Sequence, residues 1–236
     1  MSQAGRLSVG IIGAGPVGVI VGKALANAGH QLVGVSAVSE KNIERLEALL
    51  PEVPLLDVAR IIESADLVLM AIPADELIAA VAGFAEAKLW RQGQLVVHTA
   101  GEYGYSVLSP AASQGVIPIA IHPAMRFTGT SIDLDRMRES HFAVNAPNVA
   151  LPIAEALVLE MGGEPMVVSE QNRAAYFEAY SVASSFSAMV VSQAIGLLEE
   201  IGVNDPRAVV APIVRSAVEQ ALAEGHVPLD PDGLLG

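Results

Sequence analysis

The chain contains no cysteine. Disulfides, thiolate nucleophiles and cysteine-ligated metals are thereby excluded, and the composition accords with a reducing cytoplasm, the compartment expected here. Basic residues are scarce. Thirteen Lys and Arg stand against 26 Asp and Glu, for a formal net charge of −13. A field of that sign repels phosphate backbones and anionic lipid headgroups, so no nucleic acid and no membrane is expected as a partner. The five histidines are scattered, with no pair at ligand spacing on one helix, and no metal site is expected. The start, Met1 to Arg6, is short and polar, unlike a secretion signal.

Apolar residues are plentiful. At 52% of 236 residues they suffice for a substantial core in one large or two small domains. Short apolar runs at 8–12, 31–38, 66–72, 94–98 and 117–122 read as buried strands. Helical periods fall between them, at 17–28, 40–50 and 75–84. That alternation predicts an α/β fold with a parallel, doubly wound sheet. After Pro152 the pattern shifts. A helix is expected at 153–161, and Met166-Val167-Val168 fits a final strand. Only helical periods follow, at 172–201 and 205–224. The stretch from Ala179 to Leu198 is uncharged and long enough to span a bilayer. It also carries Ser181, Ser184, Ser185, Ser187, Ser192 and Gln193, which predicts a helix buried at a domain or subunit interface instead. The tail from Pro228 to Gly236 is rich in Pro, Gly and Leu and is expected to be irregular.

Gly13-Ala14-Gly15-Pro16-Val17-Gly18 follows the first strand at once and opens a helix. Each glycine has a physical task in such a loop. Gly13 permits the tight turn, Gly15 leaves no Cβ between the backbone and a pyrophosphate, and Gly18 lets the helix approach the sheet. Pro16 occupies a first-turn position that tolerates a missing N–H. The helix N-terminus then offers unpaired amides and a partial positive charge to an anion. These features predict a Rossmann-type, NAD(P)-binding domain over residues 1–150, and the helical periods that follow predict an all-helical domain over 151–236, to which the resemblance given below assigns substrate binding and dimerisation. After the second strand the chain reads Ser36-Ala37-Val38-Ser39, with Lys41 and Arg45 beyond. No carboxylate ends the strand, and hydroxyls with nearby cations accept a ribose 2′-phosphate, so NADP is favoured over NAD. Lys41 and Arg45 read equally as a solvated helix face pairing with Glu40, Glu44 and Glu47.

Ligands of such sheets bind beyond the carboxyl ends of the strands. Ala71, Ile72 and Pro73 would line the cofactor there. His98 and His122 end two further strands and are candidate proton donors to a carbonyl or imine; each imidazole reads equally as a strand-end cap. Arg126 is a candidate clamp for a substrate carboxylate, or a surface residue paired with Asp133 or Asp135.

The segments Gly10 to Gly18, Asp66 to Pro73, Val97 to Gly101 and Ile121 to Met125 together resemble a family that joins a Rossmann-like domain to a helical C-terminal domain of unknown function. That family is similar to the 6-phosphogluconate-dehydrogenase-like superfamily, with pyrroline-carboxylate reductase, prephenate dehydrogenase and ketopantoate reductase as relatives. The resemblance implies hydride transfer between NAD(P) and a small keto or imino acid, ketopantoate being one example, and a homodimer built through the C-terminal helices. Two departures stand out. Family members carry Tyr-His-Ala-Ala and then Ser-Asn on the first long C-terminal helix, where this chain has Tyr176-Phe177-Glu178-Ala179 and Ser184-Ser185. Members also end on Thr-Gly-Pro and Arg-Gly-Asp segments, absent from the Pro228–Gly236 tail. Tyr176, Glu178 and Tyr180 are candidate substitutes for the missing groups. A non-catalytic NADP-binding or sensing protein is the alternative function.

Overall fold

A computed structural model describes residues 6–226, and the tail expectation lies outside the described residues. The chain forms two compact units, the first ending at Tyr180 and the second beginning at Ser181.

The first unit begins with β1 (Ser8–Ile12), α1 (Pro16–Asn27), β2 (Gln31–Ser36), α2 (Glu40–Leu49), α3 (Val58–Ser64) and β3 (Leu67–Met70). It continues with α4 (Ala74–Glu86), β4 (Leu95–His98), the short α5 (Ser109–Ala112), β5 (Ile117–Pro123), α6 (Ile132–Met137), β6 (His141–Asn145), α7 (Leu151–Glu160), β7 (Glu164–Val167) and α8 (Arg173–Ser181). The seven strands form one sheet in the order β2-β1-β3-β4-β5-β6-β7. Every neighbouring pair is parallel except β5 and β6. β3 and β4 are buried along their whole length, as expected for strands covered on both faces. One apolar cluster, including Val9, Ile11, Ile20 and Phe142, fills one face. A second, including Ile12, Ile61, Leu77 and Leu108, fills the other.

Four elements, α3, α5, α6 and β6, go beyond the sequence expectation. α3 has only seven residues, opened by Asp57, whose carboxylate accepts from the Arg60 amide at 2.9 Å. β6 has five residues, and its antiparallel pairing makes the sheet mixed on that side. Helices this short carry too few periods to register in a sequence pattern.

The turn from β1 into α1 is the tightest part of the unit. Gly13 has φ +102°, and a Cβ there would sit 2.4 Å from the Ala71 carbonyl oxygen. A Cβ on Gly18 would sit 2.0 Å from the Gly13 carbonyl oxygen. Both contacts are with backbone, which cannot rotate aside.

In the second unit a π-helical turn (Val182–Phe186) precedes α9 (Ser187–Glu200), which packs against α10 (Pro206–Glu224). Asp205 caps α10 by accepting from the Ala208 amide at 3.1 Å. Two helices bury little of each other. Met189, Val190, Leu197, Ile201, Ile213 and Leu222 are all exposed. The helical stretch Glu170–Glu200 is long and apolar enough to cross a membrane by length and composition, and none of its apolar window is buried within the described residues. The expected burial of that helix is therefore not supplied by the described chain itself.

Gly18→Ala is expected to destabilise the first unit by about 1–3 kcal/mol, the usual cost of overpacking. Gly83→Ala, in α4 with nothing within 4 Å of the new methyl, is expected to be neutral or stabilising by up to about 1 kcal/mol. Urea denaturation of the two variants checks both signs.

Candidate functional site

The order of strands places the site. β2 lies on one side of β1 and β3 on the other, so the chain reverses direction across β1. A crevice opens at such a switch point, outside the carboxyl ends of the strands. The Gly13 amide donates to both the backbone oxygen and Oγ of Ser36, each at 3.3 Å, and ties the turn to the end of β2. The first bond of α1 runs from the Val19 amide to the Gly15 oxygen at 3.2 Å, which leaves the amides of Val17 and Gly18 ahead of it. No side chain caps this helix and no acid lies in its first turn, so its positive end stays available to an anion. A Cβ on Gly15 would meet nothing within 4 Å. Its bare face opens onto a cleft.

That cleft has a volume of about 800 Å³. Gly13, Ala14, Gly15, Pro16 and Val17 line it from the loop, Ser36 from the end of β2, Ser39 from the cap of α2, and Ala71, Ile72 and Pro73 from the segment that follows β3. Gly18 does not line it, because its Cα is pressed against the Gly13 carbonyl beneath the loop. Arg45 turns toward the loop and not toward the neighbouring glutamates: its Nη1 donates to Asn42 Oδ1 at 2.7 Å and to the Ala14 oxygen at 3.5 Å.

A smaller cleft of about 260 Å³ adjoins the first. The two share Pro16, Val17, Thr99 and His122. The smaller one adds Met125, Arg126, Phe127 and Tyr180. Arg126 is exposed at its rim. Asp133 and Asp135 are ion-paired with Arg136 and Arg138. Asp133 also accepts from the Thr128 and Gly129 amides at 2.7 and 2.8 Å, fixing the loop that follows Arg126.

His122 stands on the shared border and is 8% exposed. Its Nδ1 lies 2.6 Å from the Tyr176 hydroxyl. The rings of Tyr176, Phe177 and Tyr180 meet it edge-on, Tyr180 at 4.8 Å between centroids. Burial, reinforced by the Arg173 guanidinium, pushes its pKa down to about 4, so the imidazole is neutral at physiological pH. On the far side, a Cβ on Gly101 would fall 2.9 Å from Nε2; only glycine leaves that nitrogen clear.

His98 is a correction to the sequence reading. It lines neither cleft. Its side chain is fully buried, with Nε2 2.9 Å from the Gly104 oxygen and Nδ1 without a partner among the described residues. Desolvation lowers its pKa to about 4 as well. The strand-end cap, not the proton donor, is the role its placement allows. Of the proposed substitutes on α8, Tyr176 and Tyr180 reach His122, whereas Glu178 is exposed. Phe177 lines the larger cleft.

Arg173 escaped the sequence reading. It is 2% exposed, its Nη2 donates to the Ala143 oxygen at 3.1 Å, and its guanidinium lies 5.8 Å from the centre of the Tyr176 ring. An arginine in the first turn of a helix carries no sequence signal of burial. Among the described residues no group of three or more His, Asp or Glu is placed to hold a metal ion.

The two low-pKa imidazoles have a consequence for stability. Well above pH 6.5 both are neutral in the folded and unfolded chain and contribute nothing. Between pH 6.5 and about 4 the unfolded chain binds protons that the fold excludes, so stability falls with falling pH. The slope is expected to reach about 1.4 kcal/mol per pH unit for each imidazole. Urea midpoints at pH 7, 6 and 5 check this, and His122→Gln should show a shallower acid loss than the parent.

Several solved structures share this architecture. A proposed NADP oxidoreductase from Bacteroides fragilis superposes with a TM-score of 0.75 at 20% identity, over 96% of this chain and 82% of its own. An imine reductase from Streptomyces aurantiacus superposes with a TM-score of 0.68 at 18% identity, over 91% of this chain and 74% of its own. A pyrroline carboxylate reductase from Plasmodium falciparum, solved with NADP bound, gives 0.63 at 11% identity, over 94% and 80%. At these identities the likeness is one of fold. No curated protein matches the sequence significantly. Residues 140–228 match a domain of unknown function (DUF2520), and residues 1–123 match the Rossmann-like domain. The chain belongs to the Rossmann-like domain family, joined here to that C-terminal domain of unknown function.

Proposed function

We propose that this protein is an NADP-dependent oxidoreductase acting on a small keto or imino acid, with His122 as the hydrogen-bond and proton donor and Arg126 as the carboxylate anchor. One observation carries the reading: His122 stands where a cleft of dinucleotide size meets a smaller one that has an arginine at its rim. The chain's own residues fit the cofactor. The open face of Gly15, the uncapped start of α1 and the amides ahead of Val19 suit a pyrophosphate. Ser36 ends β2 and Ser39 caps α2 with no carboxylate between them, and Arg45 is turned onto the loop, which supports a 2′-phosphate. When bound, the cofactor supplies or accepts the hydride. The protein orients the substrate through Arg126, excludes water with Phe177 and Tyr180, and presents His122 Nε2 to the substrate oxygen or nitrogen. The fold neighbours, an NADP oxidoreductase and two reductases of imines and pyrroline carboxylate, support the same reaction class.

The exposed apolar side chains of α9 and α10 suit burial against a second copy of the chain, so a homodimer is part of the proposal. A non-catalytic NADP-binding protein is the second reading. Its supporting observation is Phe177, a ring without a proton to give that lines the larger cleft where the resemblance implies a histidine.

Calorimetric titration is expected to show NADPH binding more tightly than NADH. Gly15→Ala is expected to weaken NADPH by at least about tenfold (about 1.4 kcal/mol) while leaving the thermal midpoint unchanged, because the new methyl enters the cleft and not the core. Equal affinity in parent and variant would remove the pyrophosphate from Gly15.

A panel of keto and imino acids scored by NADPH oxidation separates the two readings. Given a substrate, His122→Ala should lower turnover by about 10²–10⁴-fold with NADPH affinity unchanged. Tight NADPH binding with no oxidation on any panel member would favour the binding or sensing protein.

A further inference from the structure

We infer that Tyr176 is the source of the proton that His122 hands to the substrate, and that Arg173 is the fixed charge that stabilises the phenolate left behind. The inference rests on the reading of His122 as the donor.

A neutral imidazole that gave up its Nε2 proton alone would become an imidazolate, which is inaccessible at physiological pH. It can donate only if Nδ1 gains a proton as Nε2 loses one. The group at Nδ1 is the Tyr176 hydroxyl, 2.6 Å away. Starting from the imidazolium is unfavourable in this setting. Tyr176, Phe177 and Tyr180 enclose the ring edge-on, and burial holds its pKa near 4. The ionisable groups around His122 are Tyr176, Tyr180 and Arg173 from α8, His98 from β4, and Arg126 at the rim of the smaller cleft. Glu76 and Glu102 line the larger cleft with His122, but the ring's pKa is set by burial and Arg173.

Arg173 supplies the other half. A guanidinium that is 2% exposed should have its donors satisfied, yet Nε and Nη1 have no partner among the described residues. Desolvation accordingly lowers its own pKa. It stands beside the Tyr176 ring and is tied by Nη2 to Ala143, which pairs directly with His122 across the β5–β6 ladder. One antiparallel rung therefore sets the donor and the cation side by side. Burial pushes the Tyr176 pKa up to about 12 in the resting state, and Arg173 is the group that opposes the rise. A guanidinium with only part of its donors satisfied makes sense as a charge waiting for a transient anion.

The step balances. As hydride arrives at the substrate carbon from NADPH, the Nε2–H bond breaks and its proton goes to the substrate oxygen or nitrogen. The Tyr176 O–H bond breaks and its proton forms the new Nδ1–H bond. The ring ends neutral in the other tautomer and Tyr176 ends as phenolate beside Arg173. A solvent proton taken up at Nε2, with return of the Nδ1 proton to Tyr176, restores the starting state. In the oxidative direction the same bonds change in reverse.

The arrangement requires that the resting His122 carry its proton on Nε2 and accept at Nδ1. Long-range ¹H–¹⁵N spectra of the full-length protein, ¹⁵N-labelled at histidine, read this directly. The expected result is a neutral Nε2–H tautomer from pH 5 to pH 9 in the parent, and a loss of that tautomer's dominance in Tyr176→Phe. An Nδ1–H tautomer in the parent, or an unchanged tautomer in the variant, would overturn the inference whether or not a substrate has been found. With a substrate in hand, Tyr176→Phe should lower turnover by about 10²-fold or more at unchanged NADPH affinity. The parent's solvent isotope effect should report two protons in flight and the variant's only one. Undiminished turnover in Tyr176→Phe would also overturn it. If the parent oxidises NADPH with no panel member, the proposed activity fails separately, and the tautomer measurement alone decides the proton chain.

Discussion

The fold turns on a backbone contact with no slack. The Gly13 carbonyl lies against the Cα of Gly18, and Gly13 itself lies against the carbonyl of Ala71. These contacts bring the start of α1 down onto the ends of β1 and β3. Because the glycines remove side chains from both sides of the turn, the amides at the head of α1 face the crevice and are not buried under it. Gly15 belongs to the same loop and has the opposite surroundings, with open space where the other two have backbone. One short segment thus separates its tasks by position: two glycines pack and one faces the cleft. Stability and binding can for that reason be perturbed independently within one loop.

The second organising feature is the reversal of strand direction at β6. A wholly parallel sheet would have carried the chain away from β5 by another helical crossover. The antiparallel rung instead places Ala143 opposite His122, and α8 then returns across the sheet's carboxyl end with Arg173, Tyr176, Phe177 and Tyr180. His122 is fixed by its strand, its Nδ1 by Tyr176, and its protonation state by the burial these rings impose. The polar chemistry of the site is housed where a reversed strand and a helix close over the end of a buried strand. Desolvated groups are found together there because water is excluded from both sides at once.

How much of this was legible in the sequence follows from the size of the signal each part leaves. The strands from β1 to β5 and the glycine loop read clearly, since buried parallel strands are near-continuous apolar runs and a glycine triplet between strand and helix is a specific pattern. Ten of the eleven expected cofactor residues line the larger cleft, and the eleventh, Gly18, packs beneath it. The histidines show the limit. His98 and His122 lie at the ends of adjacent strands and are indistinguishable by position, yet one is turned into the protein toward Gly104 and the other borders both clefts. Both rings lie on one face of the sheet, since His98 pairs with Ala120 and His122 follows two residues on, and what covers each ring depends on its neighbours. Those lie 54 residues away on α8 for His122 and 6 residues away for His98. Arg173 could not be read at all. Its burial is created by tertiary contacts with β6, a strand outside the sequence expectation.

Net charge and site charge also have to be reconciled. A chain at −13 disfavours polyanions, yet the proposed cofactor and substrate are both anionic. The conflict disappears at the length scale of the site. Exposed charges farther apart than about 8–10 Å are largely screened at physiological ionic strength. Within that radius the larger cleft has the uncapped positive end of α1, with Arg45 turned onto the loop, against Glu76 and Glu102 in its lining, and the smaller has Arg126 and no carboxylate in its lining. The low dielectric set by Phe177, Tyr180 and the buried strand ends strengthens these local interactions relative to the distant carboxylates. An extended polyanion would have to lie along the acidic surface and meet its full repulsion. A small anion need only enter the cleft, so the same charge distribution that disfavours nucleic acid is compatible with a dinucleotide and a carboxylate.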